Sequence, residues 1–153
     1  VELTLTGTPI LSAVCYCDDC QAGARLIEAL PQAGRVCDAD GGTAYLLYRK
    51  DRVRCARGVQ HLKDYKIKAA SPTSRVVATC CNSGLYLNFS KGHWLSLYRG
   101  RFQGEGPPVE MRVCTKFKPE GSVIPDDAPR YAKFPLKFVG KLIAARIAML
   151  LRR

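Results

Sequence analysis

The chain has 153 residues, of which 47% are hydrophobic and 24% are charged, and this composition excludes disordered, collagen-like and low-complexity proteins. The length suits one domain with one core. Lysine and arginine number 24 against 13 acidic residues, and the formal charge of +11 favours anionic ligands or surfaces without defining a fold.

The first part of the chain carries the alternating apolar and polar pattern of half-buried β-strands. Val1 to Thr6 is the first such segment, and others follow at regular spacing. They lie at 43–48, 53–55, 62–67, 75–79 and 85–89. Helix formers over 22–30, stopped by Pro31, predict one short helix. We therefore expect a mainly β single domain of short antiparallel strands.

The C-terminal stretch has a different pattern. From Tyr131 onward, apolar side chains recur at helical spacing, with basic residues on the opposite face. Seven Lys and Arg residues and no acidic residue lie beyond Asp127. We predict a basic amphipathic C-terminal helix and divide the chain into a β domain, 1–118, and a loop with this helix, 119–153.

Three roles are open for the C-terminal helix. It can pack on its own domain or on a second subunit, lie on an anionic membrane surface, or contact nucleic acid without sequence specificity. We expect no specific nucleic-acid partner. No segment reaches the ~20 apolar residues that a bilayer requires, and no signal peptide is expected, so the predicted location is the cytoplasm.

The eight cysteines are unevenly spaced. Neighbouring cysteines close disulfide loops poorly, which favours reduced thiols of a cytoplasmic protein, some of them binding a metal. A crowded C-x-C-x-x-C motif contains Cys15, Cys17 and Cys20. Two further cysteines, Cys80 and Cys81, are adjacent. The isolated ones, interpreted as small buried apolar side chains, are Cys37, Cys55 and Cys114.

The C-x-C-x-x-C motif suits a single soft divalent ion. Zinc takes tetrahedral thiolate sites, in which structural centres use four protein ligands and catalytic centres leave one position open. Cys15, Cys17 and Cys20 therefore predict a zinc site whose open position suits another thiolate. Cys81 is a candidate for a fourth ligand. Redox or disulfide chemistry and inert buried thiols remain the alternatives for the trio.

The other polar candidates have structural interpretations. His61 and His93 are expected to be structural, because the sequence places neither beside a thiol. Asp18 and Asp19 are expected in a solvated turn, with orientation of metal ligands or binding of a substrate ammonium as the alternative. Ordinary turn chemistry is expected for the loop 38–42, whose alternative role is to approach a ligand.

Three segments together resemble one known family. The run Gly7-Thr8-Pro9, followed by Cys15-Tyr16-Cys17-Asp18-Asp19-Cys20-Gln21, resembles the strand, turn and C-[HY]-C-x-x-C-[RQ] of the glutathione-dependent formaldehyde-activating enzyme family, which includes centromere protein V. Residues 53–58 and 62–65 resemble that family's strand, glycine and tyrosine segment. Residues 79–84 fall where the family has F-C-x-x-C-G. The resemblance covers residues 1–100 and not the tail.

The resemblance implies a β-tent fold with two zinc ions. In the family, a C-x-C near the N-terminus joins the F-C-x-x-C pair in a structural site, and the C-x-C-x-x-C motif holds a catalytic zinc. Only the catalytic set carries over, onto Cys15, Cys17 and Cys20. No other C-x-C precedes this motif, and Ser83 replaces the second cysteine of the pair. The structural site is therefore expected to be vacant unless an upstream strand supplies ligands.

The expected function is that of a zinc-dependent carbon–sulfur lyase-like enzyme, which activates a thiol such as glutathione for addition to, or release from, a small aldehyde. A free thiol, with a pKa near ~8.5, is mostly protonated at neutral pH. The alternative is a non-enzymatic zinc-binding module whose basic surface docks an acidic protein, a nucleic acid or an anionic membrane. An open metal position facing a cavity favours the enzyme, whereas four protein ligands favour the module.

Overall fold

The computed structural model describes residues 1–104 and 106–151, and this part of the chain is mainly β. It contains nine strands in two sheets and two α-helices. The strands are β1 Glu2–Leu5, β2 Leu11–Cys15, β3 Thr43–Arg49, β4 Val53–Arg57, β5 Leu62–Tyr65, β6 Thr73–Ala78, β7 Ser83–Phe89, β8 Trp94–Tyr98 and β9 Met111–Val113. The helices are α1 Asp18–Glu28 and α2 Leu136–Leu150.

The larger sheet brings distant parts of the chain together. Its seven strands have the order β5-β6-β7-β8-β3-β2-β9, and β1 and β4 form a separate antiparallel pair. All pairings are antiparallel except that of β2 with β9. Every residue of β2 is buried, since β3 and β9 flank it. The strand that leads into the cysteine motif therefore lies inside the fold.

The mainly β class is confirmed, although several element bounds differ from the prediction. Each predicted strand is present with ends shifted by a few residues, and β2, β8 and β9 are additional. The predicted short helix is present, but both ends of the predicted range 22–30 are wrong, because α1 begins at Asp18 and ends at Glu28. Cys17 caps its N-terminus, and acidic residues in the first turn suit the helix dipole.

The C-terminal helix packs on the larger sheet along one stripe. Pro135 precedes α2, and Leu142 is buried in the main core with Phe138 against it. The helix begins at Leu136, later than the helical pattern that starts at Tyr131. No described helix combines the length and the apolar character needed to cross a bilayer.

Candidate metal centre

The cysteine motif sits where a buried strand turns into a helix. Cys15 ends β2, Cys17 is the N-cap of α1, and Cys20 lies in the first turn of that helix. This reversal places the three Sγ atoms within 4.8 Å of one another. Cys15 and Cys20 are buried and Cys17 is partly exposed, and all three are free thiols. The structure thus brings together the trio that the sequence predicts as metal ligands.

The electrostatics of the trio favour negative charge at Cys17. Hydrogen bonds from the Cys15 and Cys20 thiols lower the pKa of Cys17 to about 3. The backbone N–H of Cys20 also donates to the Cys17 Sγ, at 3.4 Å. The pKa of Cys15 is raised, because hydrogen bonds to Cys114, Cys17 and Cys20 and burial all favour its thiol form. The N-terminus of α1 is a suitable place for a thiolate.

Cys114 is a neighbour of the trio that the sequence does not reveal. It follows β9, which runs parallel to β2 and pairs Val113 with Cys15. Cys114 is buried, its backbone has a left-handed φ of 59°, and a hydrogen bond with Cys15 lowers its pKa. The interpretation of Cys114 as a buried apolar side chain is therefore incomplete. Only the pairing of two strands about 100 residues apart in sequence brings it there.

Cys81, the fourth ligand considered from the sequence, lies elsewhere. It is exposed, and its Sγ is 3.8 Å from that of Cys80 and 3.2 Å from the Ser83 Oγ. Among the described residues, Cys81 is not part of the cluster of possible metal ligands that Cys15, Cys17 and Cys20 form. Cys80 and Cys81 form a separate, exposed pair of thiols.

A buried arginine beside the trio tests whether the site suits a metal ion. Arg75 is 2% exposed, and its Nη2 donates to the carbonyl oxygen of Asp19 at 2.6 Å. Its buried Nη1 has no hydrogen-bond partner among the described residues, nor does any carboxylate there form an ion pair with Arg75. A buried cation is costly without a nearby negative charge. Three thiolates around a divalent ion carry one net negative charge, so the residues present fit zinc.

Tyr16, between the first two cysteines, fixes the position of the motif. Its side chain is fully buried, and its hydroxyl donates to Asp40 Oδ2 at 2.6 Å and accepts from Arg112. Arg112 also pairs with Asp40 at 3.2 Å and with Asp127 at 2.7 Å. The loop 38–42 therefore holds the motif in place, which agrees with its structural interpretation.

An apolar cavity of about 390 Å³ opens onto the trio. Cys15, Cys17 and Cys20 all line it, and the opposite walls come from the sheet and from the C-terminal segment. The larger side chains of these walls are Leu87, Phe89, Trp94, Phe134, Phe138 and Leu142. Apart from the three cysteines, no side chain that carries a charge occurs among the described residues that line it. A ligand in this cavity reaches the thiols directly.

The remaining sequence candidates lie away from the cavity wall. His93 packs edge-on against Trp94, with ring centroids 5.1 Å apart, and burial lowers its pKa, so it is neutral at pH 7. His61 ends a short 3-10 turn, and neither histidine lines the cavity. Asp18 and Asp19 are exposed as expected, but they lie in the first turn of α1 and not in an isolated turn.

Comparisons with known proteins add no family. No family model matches the sequence, and no curated protein matches it. The resemblance to the formaldehyde-activating family therefore depends on the three sequence motifs alone. Any function of the cavity has to be inferred from the residues that line it.

Proposed function

We propose that the protein is a zinc-dependent enzyme of thiol chemistry, carbon–sulfur lyase-like and related to the glutathione-dependent formaldehyde-activating family. One observation carries the proposal: three clustered thiols lie in the wall of a cavity large enough for a small organic molecule. An open metal position facing a cavity favours chemistry over scaffolding. The proposal includes the family's β-tent fold, for which the two antiparallel-rich sheets are the support.

Each residue around the site has a definite role in this proposal. Cys15, Cys17 and Cys20 would hold the metal, and Tyr45 donates a hydrogen bond to the Cys20 Sγ at 3.5 Å. Arg75, which donates to the carbonyl oxygen of Asp19 between two of these cysteines, would offset the excess negative charge of the thiolates. Zinc held by these cysteines would lower the pKa of a thiol that reaches it and would so supply a nucleophilic thiolate at neutral pH. Most of the side chains around the reacting sulfur are apolar.

The substrates proposed are a small thiol and a small aldehyde; glutathione is the thiol that the family resemblance implies. The thiolate sulfur adds to the carbonyl carbon as the C=O π bond breaks, and the alkoxide oxygen takes up the proton that the thiol released. In the reverse direction that proton leaves, the carbon–sulfur bond breaks and the carbonyl group forms again. The eight free cysteines support a reducing compartment, and we propose the cytoplasm.

The second candidate is a binding module in which zinc only shapes the loop before α1. It is supported by a stripe of exposed apolar side chains on α2, with basic residues nearby. An acidic partner or an anionic membrane would cover this surface. The cavity at the trio favours the enzyme, because a purely structural site needs no cavity.

Metal analysis of the purified protein tests the proposal. We expect about one zinc per chain in the unaltered protein and in the Cys81→Ser variant, whose altered thiol lies outside the trio. Cys17→Ser should lose most of the zinc, because it removes one of the three thiolates that hold it. Circular dichroism of each variant separates loss of metal from loss of the fold.

A protein that contains less than about 0.2 zinc per chain, and that is unaffected by Cys17→Ser, would exclude the zinc site. Equal losses of zinc in Cys17→Ser and Cys81→Ser would show that the trio alone does not account for zinc binding. A chain without zinc at the trio would exclude both the enzyme and a binding module that depends on that zinc.

A further inference from the structure

We infer that the cavity binds an uncharged, apolar thiol, and that it selects against charged thiols of the glutathione type. This inference rests on the proposed function, because it names the substrate class of the same site. The walls of the cavity contain aliphatic, aromatic and thiol side chains together with three hydroxyls. The hydroxyl-bearing residues are Tyr45, Thr73 and Ser96.

The basic side chains of the molecule lie outside the described walls of the cavity. The chain has a formal charge of +11, yet none of the described residues lining the cavity is a lysine or an arginine. Lys141 of α2 is paired with Glu110. Glutathione carries two carboxylates and an ammonium group, and each loses hydration in an apolar site without a partner. The positive charge of the surface therefore attracts anions in general but offers none of them a partner at the thiols.

The walls and the volume of the cavity suit a small apolar body. The trio occupies one part of the wall, and Leu87, Phe89 and Trp94 lie on the sheet side. Phe138 and Val139 of α2 complete the wall opposite. A volume of about 390 Å³ lies within the range of small-molecule sites. A sulfur at the trio can thus be joined to an alkyl or aryl group that contacts these side chains.

The experiment uses Trp94, the single tryptophan of the chain, as the reporter. Trp94 lines the cavity, so a ligand that enters it changes the indole fluorescence. The purified, zinc-containing full chain is titrated with hexane-1-thiol, hexan-1-ol, 6-mercaptohexanoate and glutathione. We expect hexane-1-thiol to bind at least about tenfold more tightly than 6-mercaptohexanoate or glutathione, because both of these thiols would place charged groups against apolar walls.

Two lysine variants on one face of α2 sharpen the test. Val139 is 43% exposed and lines the cavity, whereas Ile143, one turn later and 56% exposed, does not. Val139→Lys supplies a cation at the cavity wall and should improve the binding of 6-mercaptohexanoate relative to hexane-1-thiol. Ile143→Lys adds the same charge to the same helix and should leave the ratio unchanged.

The outcomes separate this inference from the proposed function. Binding of 6-mercaptohexanoate or glutathione as tight as that of hexane-1-thiol would overturn the inference. Equal binding of hexane-1-thiol and hexan-1-ol, both tighter than the charged thiols, would support the apolar cavity and contradict the role of the trio in binding sulfur. A preference for hexane-1-thiol over all three other ligands supports both.

Discussion

At the scale of single residues, Gly23 shows how closely the surroundings of the thiols are packed. A Cβ at this position would lie 1.8 Å from the Arg75 Nε, so the guanidinium occupies the space of a side chain on α1. From that place Arg75 reaches the carbonyl oxygen of Asp19, which lies between two of the cysteines. The glycine is needed for this contact and not for a left-handed backbone, since its φ is not positive.

The first prediction compares two Gly→Ala substitutions in helices. Gly23→Ala should destabilise the protein by about 1–3 kcal/mol, because the buried Arg75 side chain must move. Gly140→Ala in α2 should stabilise it by about 0.5–1 kcal/mol, because a Cβ there meets nothing within 4 Å and alanine favours the helix. Urea unfolding measures both. A Gly23→Ala variant as stable as Gly140→Ala would show that Arg75 is not held against α1.

At the scale of elements, α2 has two apolar stripes with different roles. The inner stripe contains Phe138 and Leu142, which pack into the core. The outer stripe consists of exposed side chains: Leu136, Val139, Ile143, Ile147 and Leu150. A helix with a single apolar face would not need the second stripe. Contact with a second subunit or with an anionic membrane surface therefore remains our proposal for the outer stripe.

The second prediction separates the two stripes. Leu142→Ala should lower the free energy of unfolding by about 2–4 kcal/mol, because Leu142 is 9% exposed and its loss leaves a space in the core. Ile143→Ala should change the stability of the monomer by less than about 0.5 kcal/mol, because Ile143 is 56% exposed. Thermal unfolding at low protein concentration measures both. Equal effects of the two substitutions would contradict the orientation of α2.

The sequence predicts those features that depend on neighbouring residues. The cluster of Cys15, Cys17 and Cys20 follows from local spacing, and the strands follow from alternation over a few residues. The start of α1 was predicted too late, because a cysteine is not a typical N-cap residue. The place of Cys114 depends on the pairing of β2 with β9, a three-residue strand without a clear pattern.

At the scale of the whole molecule, the cavity joins parts of the chain that the sequence separates. The predicted boundary at residue 118 divides the cysteine motif from the helix that completes the cavity. Local patterns cannot show how α2 lies on the sheet, so the sequence predicts a metal site without its apolar walls. The strong positive charge of the chain suggests anionic ligands, whereas the described walls of the cavity outside the thiols are uncharged. The surface and the site thus favour different classes of ligand.

We propose that three cysteines near the N-terminus hold one zinc ion and leave one ligand position open to the cavity. X-ray absorption at the zinc edge, recorded on the purified protein with and without hexane-1-thiol, tests it most directly. We expect sulfur ligands at about 2.3 Å from the zinc, with one more sulfur ligand after the thiol is added. A shell of four protein sulfurs that the thiol leaves unchanged, or a shell of nitrogen and oxygen only, would contradict it.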